Sequence, residues 1–440
     1  WLSDRVGSRR LFLFAVAGFI VTSMLCGVAT NLTQMVLFRI LQGVCAAFIG
    51  PLSQTILLDI NPPEKAPRAM QVWGMGIMVA AIFGPMIGGW LTENLSWHYA
   101  FFVNVPICGL LLLFLFVGLP HEEPNWEYLT EADWAGILGL ILGLGALTVL
   151  LEEGHREEWF ESSFIRWLTL IAVIGFSSLI YGQMNAPKPV LKLRLLLDRQ
   201  FGSVAVMALA LGMVMYGSTY VIPQFLAIIS DYNAFQTGLV IFWMGIPAFL
   251  LMPVLPFMIR RIHIRIAVGA GMLLMAISCF VSISLTAQSG GAVFTEGQLI
   301  RGVGMILSMM FLNQATVASV AKADAGDASG IFNAARNLGG SFALAGLASF
   351  QDQRIWHHSR RMEESLNANS VSVQNHLDGL ARNFGGMDGA MAMLSRTIQR
   401  EAFVMTYNDV FLAMGILTLA TVPLVVFLKP LPKNTSLSMH

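Results

Sequence analysis

Charge is what this 440-residue chain has least of. Asp, Glu, Lys and Arg make up 12% of it, about half the ~25% usual in soluble domains. Acidic and basic residues balance at 26 each, so no net field points to a nucleic-acid partner. Cysteine is scarce as well. Cys26, Cys45, Cys108 and Cys279 all fall in apolar runs, which speaks against a disulfide or zinc framework and makes them small buried hydrophobes. Carboxylates are missing from the middle of every long apolar run; Asp59, Glu296 and Asp409 lie near ends. No cleavable signal peptide opens the chain, and residues 1–10 already read as a charged connector. Beginning at Trp1, the sequence reads as a fragment that starts late.

What the chain has in abundance is apolar length. Hydrophobic residues make up 56%, and runs long enough to cross a bilayer recur from end to end. Twelve spans are expected, near 11–30, 33–58, 70–91, 99–119, 134–151, 164–183, 203–229, 236–258, 266–287, 293–319, 329–350 and 407–428. The fold class is therefore an all-α polytopic membrane protein. With residues 1–10 cytoplasmic, the loops on that side hold fifteen Lys and Arg, and the short opposite loops hold only Arg156 and Arg166. That bias fixes the orientation. Residues 351–404 form a long extracytoplasmic loop, with helical periodicity in 387–404.

Several positions carry more than packing. Gly84, Pro85, Gly88 and Gly89 lie in an uncharged run, 74–91, with Ala80 and Ala81 a turn earlier. Small residues at four-residue spacing leave a flat face for a second helix, and Pro85 bends the helix beside it. The reading is either a hinge seam or ordinary close packing. Arg39 and Gln42 share one helix face; an arginine inside a membrane faces a water-filled cavity or a partner, or else snorkels to the headgroups. Arg301 and Arg336 are embedded likewise, with Asn333 one turn before Arg336. Tyr216, Tyr220 and Gln224 form a polar-aromatic stripe, which fits either a cavity wall or helix-to-helix hydrogen bonding. Asp59 ends the second span, where the helix dipole disfavours an anion, so Arg5 or Arg9 is its expected partner. The two halves echo one another: Arg39-Ile-Leu-Gln42-Gly43-Val44 aligns with Gln298-Leu-Ile-Arg301-Gly302-Val303. Such a repeat signals a transporter of two related bundles with the substrate site between them. Spans 134–151 and 164–183 hold no embedded charge and read as scaffolding.

The loop Leu2-Ser-Asp4-Arg5-Val-Gly7-x-Arg9-Arg10, then Arg39-x-x-Gln42-Gly43, then Gly84-Pro85-x-x-Gly88-Gly89 resembles the three signature motifs of the major facilitator superfamily. Two extra spans between the halves, the long loop before the last span, Asn61-Pro-Pro-Glu64, Asn104-Val-Pro106 and the Asn333–Ser341 segment narrow the resemblance. They are similar to the fourteen-helix drug:proton antiporters of the EmrB/QacA type, nearest the EmrB branch. Ser8 stands where that pattern often has a basic residue, and Ala80 replaces the leading Gly of the third motif.

The resemblance implies a major facilitator fold of two pseudo-symmetric bundles plus two extra central helices, with the family's first two helices missing. Its bundles would be 1–119 and 201–440, with the extra helices and linkers in 120–200. It also implies export of hydrophobic drugs in exchange for protons by alternating access across a bacterial inner membrane, with no cofactor beyond the proton gradient. The coupling carboxylate would belong to the missing first helix. Asp4, Arg5, Gly7, Arg9 and Asp59 would latch the cytoplasmic side. A periplasmic adaptor and an outer-membrane channel would be partners. Twenty-five Met and twenty-nine Phe would give adaptable walls for varied substrates. The lack of a Gly-x-x-x-x-Gly-Lys-Ser/Thr loop speaks against direct ATP drive. A carrier for one metabolite or siderophore is the alternative. A membrane-embedded enzyme is the remoter one, since no Ser/His, His/Asp/Glu or metal-ligand cluster lies in the spans.

Overall fold

Helices in this chain begin where a polar side chain can take up the first free backbone N–H groups. In the computed structural model, Asn31, Asp133, Ser162 and Asp198 each sit at such a start and accept from the N–H of Gln34, Gly136, Phe164 and Gln200 at 2.7–3.2 Å. Gly7 precedes the first helix at φ +91°, a backbone conformation that side chains rarely tolerate, which accounts for the glycine there. The structure describes residues 7–62, 65–119, 133–186, 189–251, 253–321, 324–366, 370–383 and 386–428. Asp4 and Arg5, assigned to the cytoplasmic latch, lie outside them, as do Glu64 and residues 120–132.

In chain order the helices are α1 (Ser8–Gly27), α2 (Leu32–Asp59), α3 (Ala66–Asn94), α4 (Tyr99–Phe102), α5 (Asn104–Gly118), α6 (Trp134–Glu153), α7 (Ser163–Asn185) and α8 (Arg199–Ile229). There follow α9 (Ala234–Leu251), α10 (Leu255–Arg261), α11 (Ile264–Val281), α12 (Phe294–Ala318), α13 (Ala325–Ser365), α14 (Val371–Asn383) and α15 (Met387–Thr421). Each expected span coincides with helix over most of its described residues. Nine of the described helices are long and apolar enough to cross a membrane; α3, α12 and α13 are helical but fall outside that set. Pro253 lies in the break between α9 and α10 inside the expected 236–258 span, and Pro256 is the second residue of α10. The segment 351–404, expected as a loop, is mostly helix. No Pro or Gly interrupts residues 347–378, and α13 runs unbroken to Ser365, with Arg360 and Glu364 paired at 3.1 Å one turn apart.

The described residues divide into two compact units, one of 7–119 with 233–255 and one of 133–232 with 256–428. In the first, Leu11, Phe12 and Val16 of α1 pack on Leu52 and Ile56 of α2, with Leu111, Leu112 and Leu115 of α5 closing the cluster. In the second, Phe225 of α8 meets Phe294 of α12 edge-on at 5.5 Å and Tyr407 of α15 at 5.3 Å. There α6 and α7 pack glycine to backbone: a Cβ at Gly175 would strike the main chain of Gly143, and one at Gly139 that of Leu179. Glu152 and His155, at the far end of this hairpin, bond Ser341 and Ser349 of α13.

Cross-helix bonds in the second unit join residues assigned to the same side of the membrane. Lys192 pairs with Asp324, and Arg265 bonds the Leu428 carbonyl; all four were assigned to, or border, the cytoplasmic side. His155 joins Asp352 at 2.8 Å, and Arg400 donates to the carbonyls of Ile229 and Ala287 at 2.8 and 2.9 Å, all toward the opposite side.

Candidate functional site

Two embedded guanidinium groups have similar surroundings in the two units. In the first unit, Arg39 Nη1 donates to Gln42 Oε1 at 3.0 Å, and its guanidinium lies 5.0 Å from the Phe101 ring centroid. Gln42 is buried; its Nε2 donates to Ser23 Oγ of α1 at 2.6 Å, and Cys26 Sγ donates to its Oε1. A cavity of about 350 Å³ opens beside them, lined by Phe19, Arg39, Gln42, Gly43, Ala46, Ala100, Phe101 and Asn104. In the second unit, Arg301 Nη1 donates to Gln298 Oε1 at 2.8 Å and Nε to Ser278 Oγ of α11 at 3.2 Å, with Cys279 next in sequence. Each half thus holds an Arg–Gln pair one turn apart, steadied by a Ser on the preceding helix.

Exposure separates the two. Arg39 faces its cavity, whereas Arg301 is 1% exposed, and its Nη2 has no partner among the described residues. A guanidinium holds its charge in almost any surroundings, so burial leaves Arg301 a fixed cation in an apolar interior. The motif signalled the Arg–Gln pairs in sequence. It did not signal Ser23, Ser278 or the cysteines beside them, which looked like ordinary core residues.

Arg336, the twelfth of the 41 residues of α13, is half-buried, and its Nε is buried with no partner among the described residues. Its backbone carbonyl sits directly over Gly212 of α8, and Gly339 sits under the Leu209 carbonyl. Asn333, one turn before, donates to the Ser329 carbonyl of its own helix at 2.9 Å and not to Arg336. The stripe on α8 runs along this contact. Tyr216 lies over Gly340, and its hydroxyl donates to Asn337 Oδ1 at 3.3 Å; Gln224 Oε1 accepts from Gln351 at 3.1 Å. Helix-to-helix hydrogen bonding therefore accounts for both ends of the stripe, and Tyr220 between them is 40% exposed.

The glycine run of α3 packs differently from its spacing. A Cβ at Gly84 or Gly88 would meet nothing within 4 Å. The close approach is one residue round the helix: at Gly89 a Cβ would lie 2.6 Å from the Ala234 carbonyl of α9, and at Gly238 one would lie 2.6 Å from the Pro85 carbonyl. Phe83 and Phe242 meet edge-on beside it at 5.7 Å. At the first motif, Arg9 is buried and donates to the Phe116 carbonyl at 2.9 Å, while Asp59 ends α2 exposed.

At the start of α13, the Lys192 ammonium pairs with Asp324, a contact the sequence did not suggest. Burial holds the neighbouring Asp327 carboxyl above the usual carboxylate range, and Asp324 adds to this while Lys192 opposes it.

The Major Facilitator Superfamily model matches residues 1–344. Along 98% of its length this chain is 32% identical to the multidrug export protein EmrB of Haemophilus influenzae, covering 84% of that protein. It is 30% identical to the fatty acid resistance protein FarB of Neisseria gonorrhoeae, over 98% of this chain and 85% of FarB. Among solved structures, a peptide transporter, POT, superposes with a TM-score of 0.61 at 15% identity, over 98% of this chain and 83% of that one. This last likeness concerns the fold alone.

Proposed function

The chain belongs to the major facilitator superfamily, in its EmrB-type branch, and from that premise we propose that it exports hydrophobic and weakly acidic toxic molecules in exchange for protons. Of the named relatives, one is a multidrug export protein and another a fatty acid resistance protein. Similarity to them across nearly the whole chain is the observation that carries the reading. The geometry around Arg39 adds chemistry to it. A fixed cation set among Phe19, Phe101 and apolar surface suits an amphipathic guest with an aromatic or aliphatic body and an anionic head.

The relatives and the fold neighbours are transporters, and nothing in this reading calls on a chemical step or a bound cofactor; the proton gradient is the energy source. One proton moving down 100 mV supplies about 2.3 kcal/mol, enough for roughly fiftyfold concentration of a neutral guest. The proposed setting is a bacterial inner membrane, with a periplasmic adaptor and outer-membrane channel carrying the guest onward.

Inverted membrane vesicles carrying the complete protein test this directly. With an imposed pH gradient, adding a hydrophobic drug or a medium-chain fatty acid should dissipate the gradient as the compound accumulates. Accumulation with no proton movement would refute antiport. Uptake confined to one metabolite would replace export of varied toxins with a dedicated carrier.

A further inference from the structure

The extracytoplasmic end of α13 carries an arrangement of titratable side chains that the reading above leaves unused. Asp409 of α15 accepts from Arg354 Nε at 2.7 Å and Nη2 at 2.6 Å, and its Oδ2 also accepts from His358 Nε2 at 2.7 Å. His358 is 6% exposed. The ring of His357 lies against it, centroids 5.6 Å apart. His357, Arg354 and Asp352 in turn line an open concavity of about 560 Å³. Bulk water therefore reaches His357 and Arg354, the buried ring lies one step further in, and Asp409 stands two residues inside the last expected span.

We propose that His358 and Asp409, held by Arg354, form a proton-exchange site on the extracytoplasmic side of the transporter. This rests on the antiport reading and adds to it the groups that take up the proton from outside. With Arg354 charged, Asp409 ionised and His358 neutral, the cluster has no net charge. His358 donates Nε2–H to the carboxylate, because a carboxylate can only accept. A hydronium ion at the concavity gives its proton to the ring through Nδ1 and leaves as water. The ring then passes the Nε2 proton to Asp409 Oδ2. It ends neutral with its proton on Nδ1, and the carboxyl carries the added one. Neutralising Asp409 removes the charge that holds Arg354, so proton uptake loosens the tie between α13 and α15.

Few other groups compete. Among the described residues, only Arg354 and His358 bond Asp409. On α6, His155 is occupied by Asp352 and Ser349. On α15, Arg400 is committed to the Ile229 and Ala287 carbonyls, and Glu401 follows it. The start of α12 brings an exposed Glu296, and α8 brings the Tyr220 phenol.

The complete protein in oriented proteoliposomes, with pH varied only on the extracytoplasmic face, tests the proposal. Wild-type drug export should rise with acidity on that face, by up to about tenfold per pH unit, the slope of one protonation. His358→Gln should flatten this dependence while still binding drug in detergent. Asp409→Asn should lower export about tenfold or more at every pH, again with drug bound. Drug-induced proton release, followed with a pH dye in weakly buffered detergent, gives a second readout; His358→Gln should abolish it. A His358→Gln protein that is merely slower, with the wild-type pH profile and proton release intact, would overturn the assignment. A wild type indifferent to extracytoplasmic pH and releasing no protons would overturn antiport and this site together.

Discussion

Two alanines placed on one helix isolate the packing that holds α13 against α8. At Gly339 an added Cβ strikes the Leu209 backbone carbonyl, whereas at Gly346 it meets nothing within 4 Å. Both glycines lie inside α13, so Gly→Ala improves helix propensity at each by about 1 kcal/mol. Only Gly339→Ala adds a clash, and the obstacle is main chain, which no side-chain rotation relieves. Overpacking of this kind costs about 1–3 kcal/mol. Subtracting one variant from the other cancels propensity and leaves the clash, so Gly339→Ala should be less stable than Gly346→Ala by that amount. Thermal unfolding in detergent, followed by tryptophan fluorescence, measures the difference. Gly339→Ala should also impair efflux, because the turn pushed aside carries Arg336, while Gly346→Ala should export normally. Equal unfolding midpoints would refute the close approach of the two helices.

Arg336→Ala should abolish efflux with expression intact, and unchanged drug resistance would remove Arg336 from the site. Arg301→Met should match or exceed wild-type stability, by up to about 4 kcal/mol, since an apolar side chain replaces a buried cation; loss of efflux in that stable variant would separate function from folding. The raised Asp327 carboxyl binds its proton more tightly in the folded protein, so its contribution to stability is present at low pH and lost as pH rises through the folded value. Asp327→Asn should therefore unfold at a higher temperature than wild type at neutral pH. The gap should close in acid below the ordinary carboxylate range; a gap that persists there would contradict the burial argument.

Apolar length gave away the helices because a lipid-immersed chain must satisfy its backbone internally, leaving few alternatives to a helix. The Arg39–Gln42 pair was legible for a similar reason: i and i+3 share a face whatever surrounds them. The counterpart at Gln298 and Arg301 emerged from the repeat. Other features needed the third dimension. Small-residue spacing in α3 offers several faces, and only the path of α9 selects Pro85 and Gly89 over Gly84 and Gly88. Gln224 fitted either a cavity wall or a helix-to-helix hydrogen bond, and only the fold brings Gln351, 127 residues away, to its carbonyl oxygen. The bond from Arg354 to Asp409 spans 55 residues and was hidden by reading 351–404 as a loop. That error came from ending the helix where hydrophobicity ended, although helix-forming residues continue through Ser365.

The length of α13 ties these features together mechanically. Its 41 residues extend about 60 Å at 1.5 Å per residue, and no proline interrupts it, in contrast to α2, α3, α8 and α9. Along it lie the Asp324 contact with Lys192, the glycine contact with α8 at Gly339, Arg336, and the Arg354–Asp409–His358 cluster. Arg336 and Arg354 are eighteen residues apart, about 27 Å along one continuous hydrogen-bonded ladder. A helix of this kind bends at glycine pairs before it stretches, and Gly339-Gly340 is its one adjacent pair. Release of the outer end by protonation would therefore be felt first at the turn carrying Arg336.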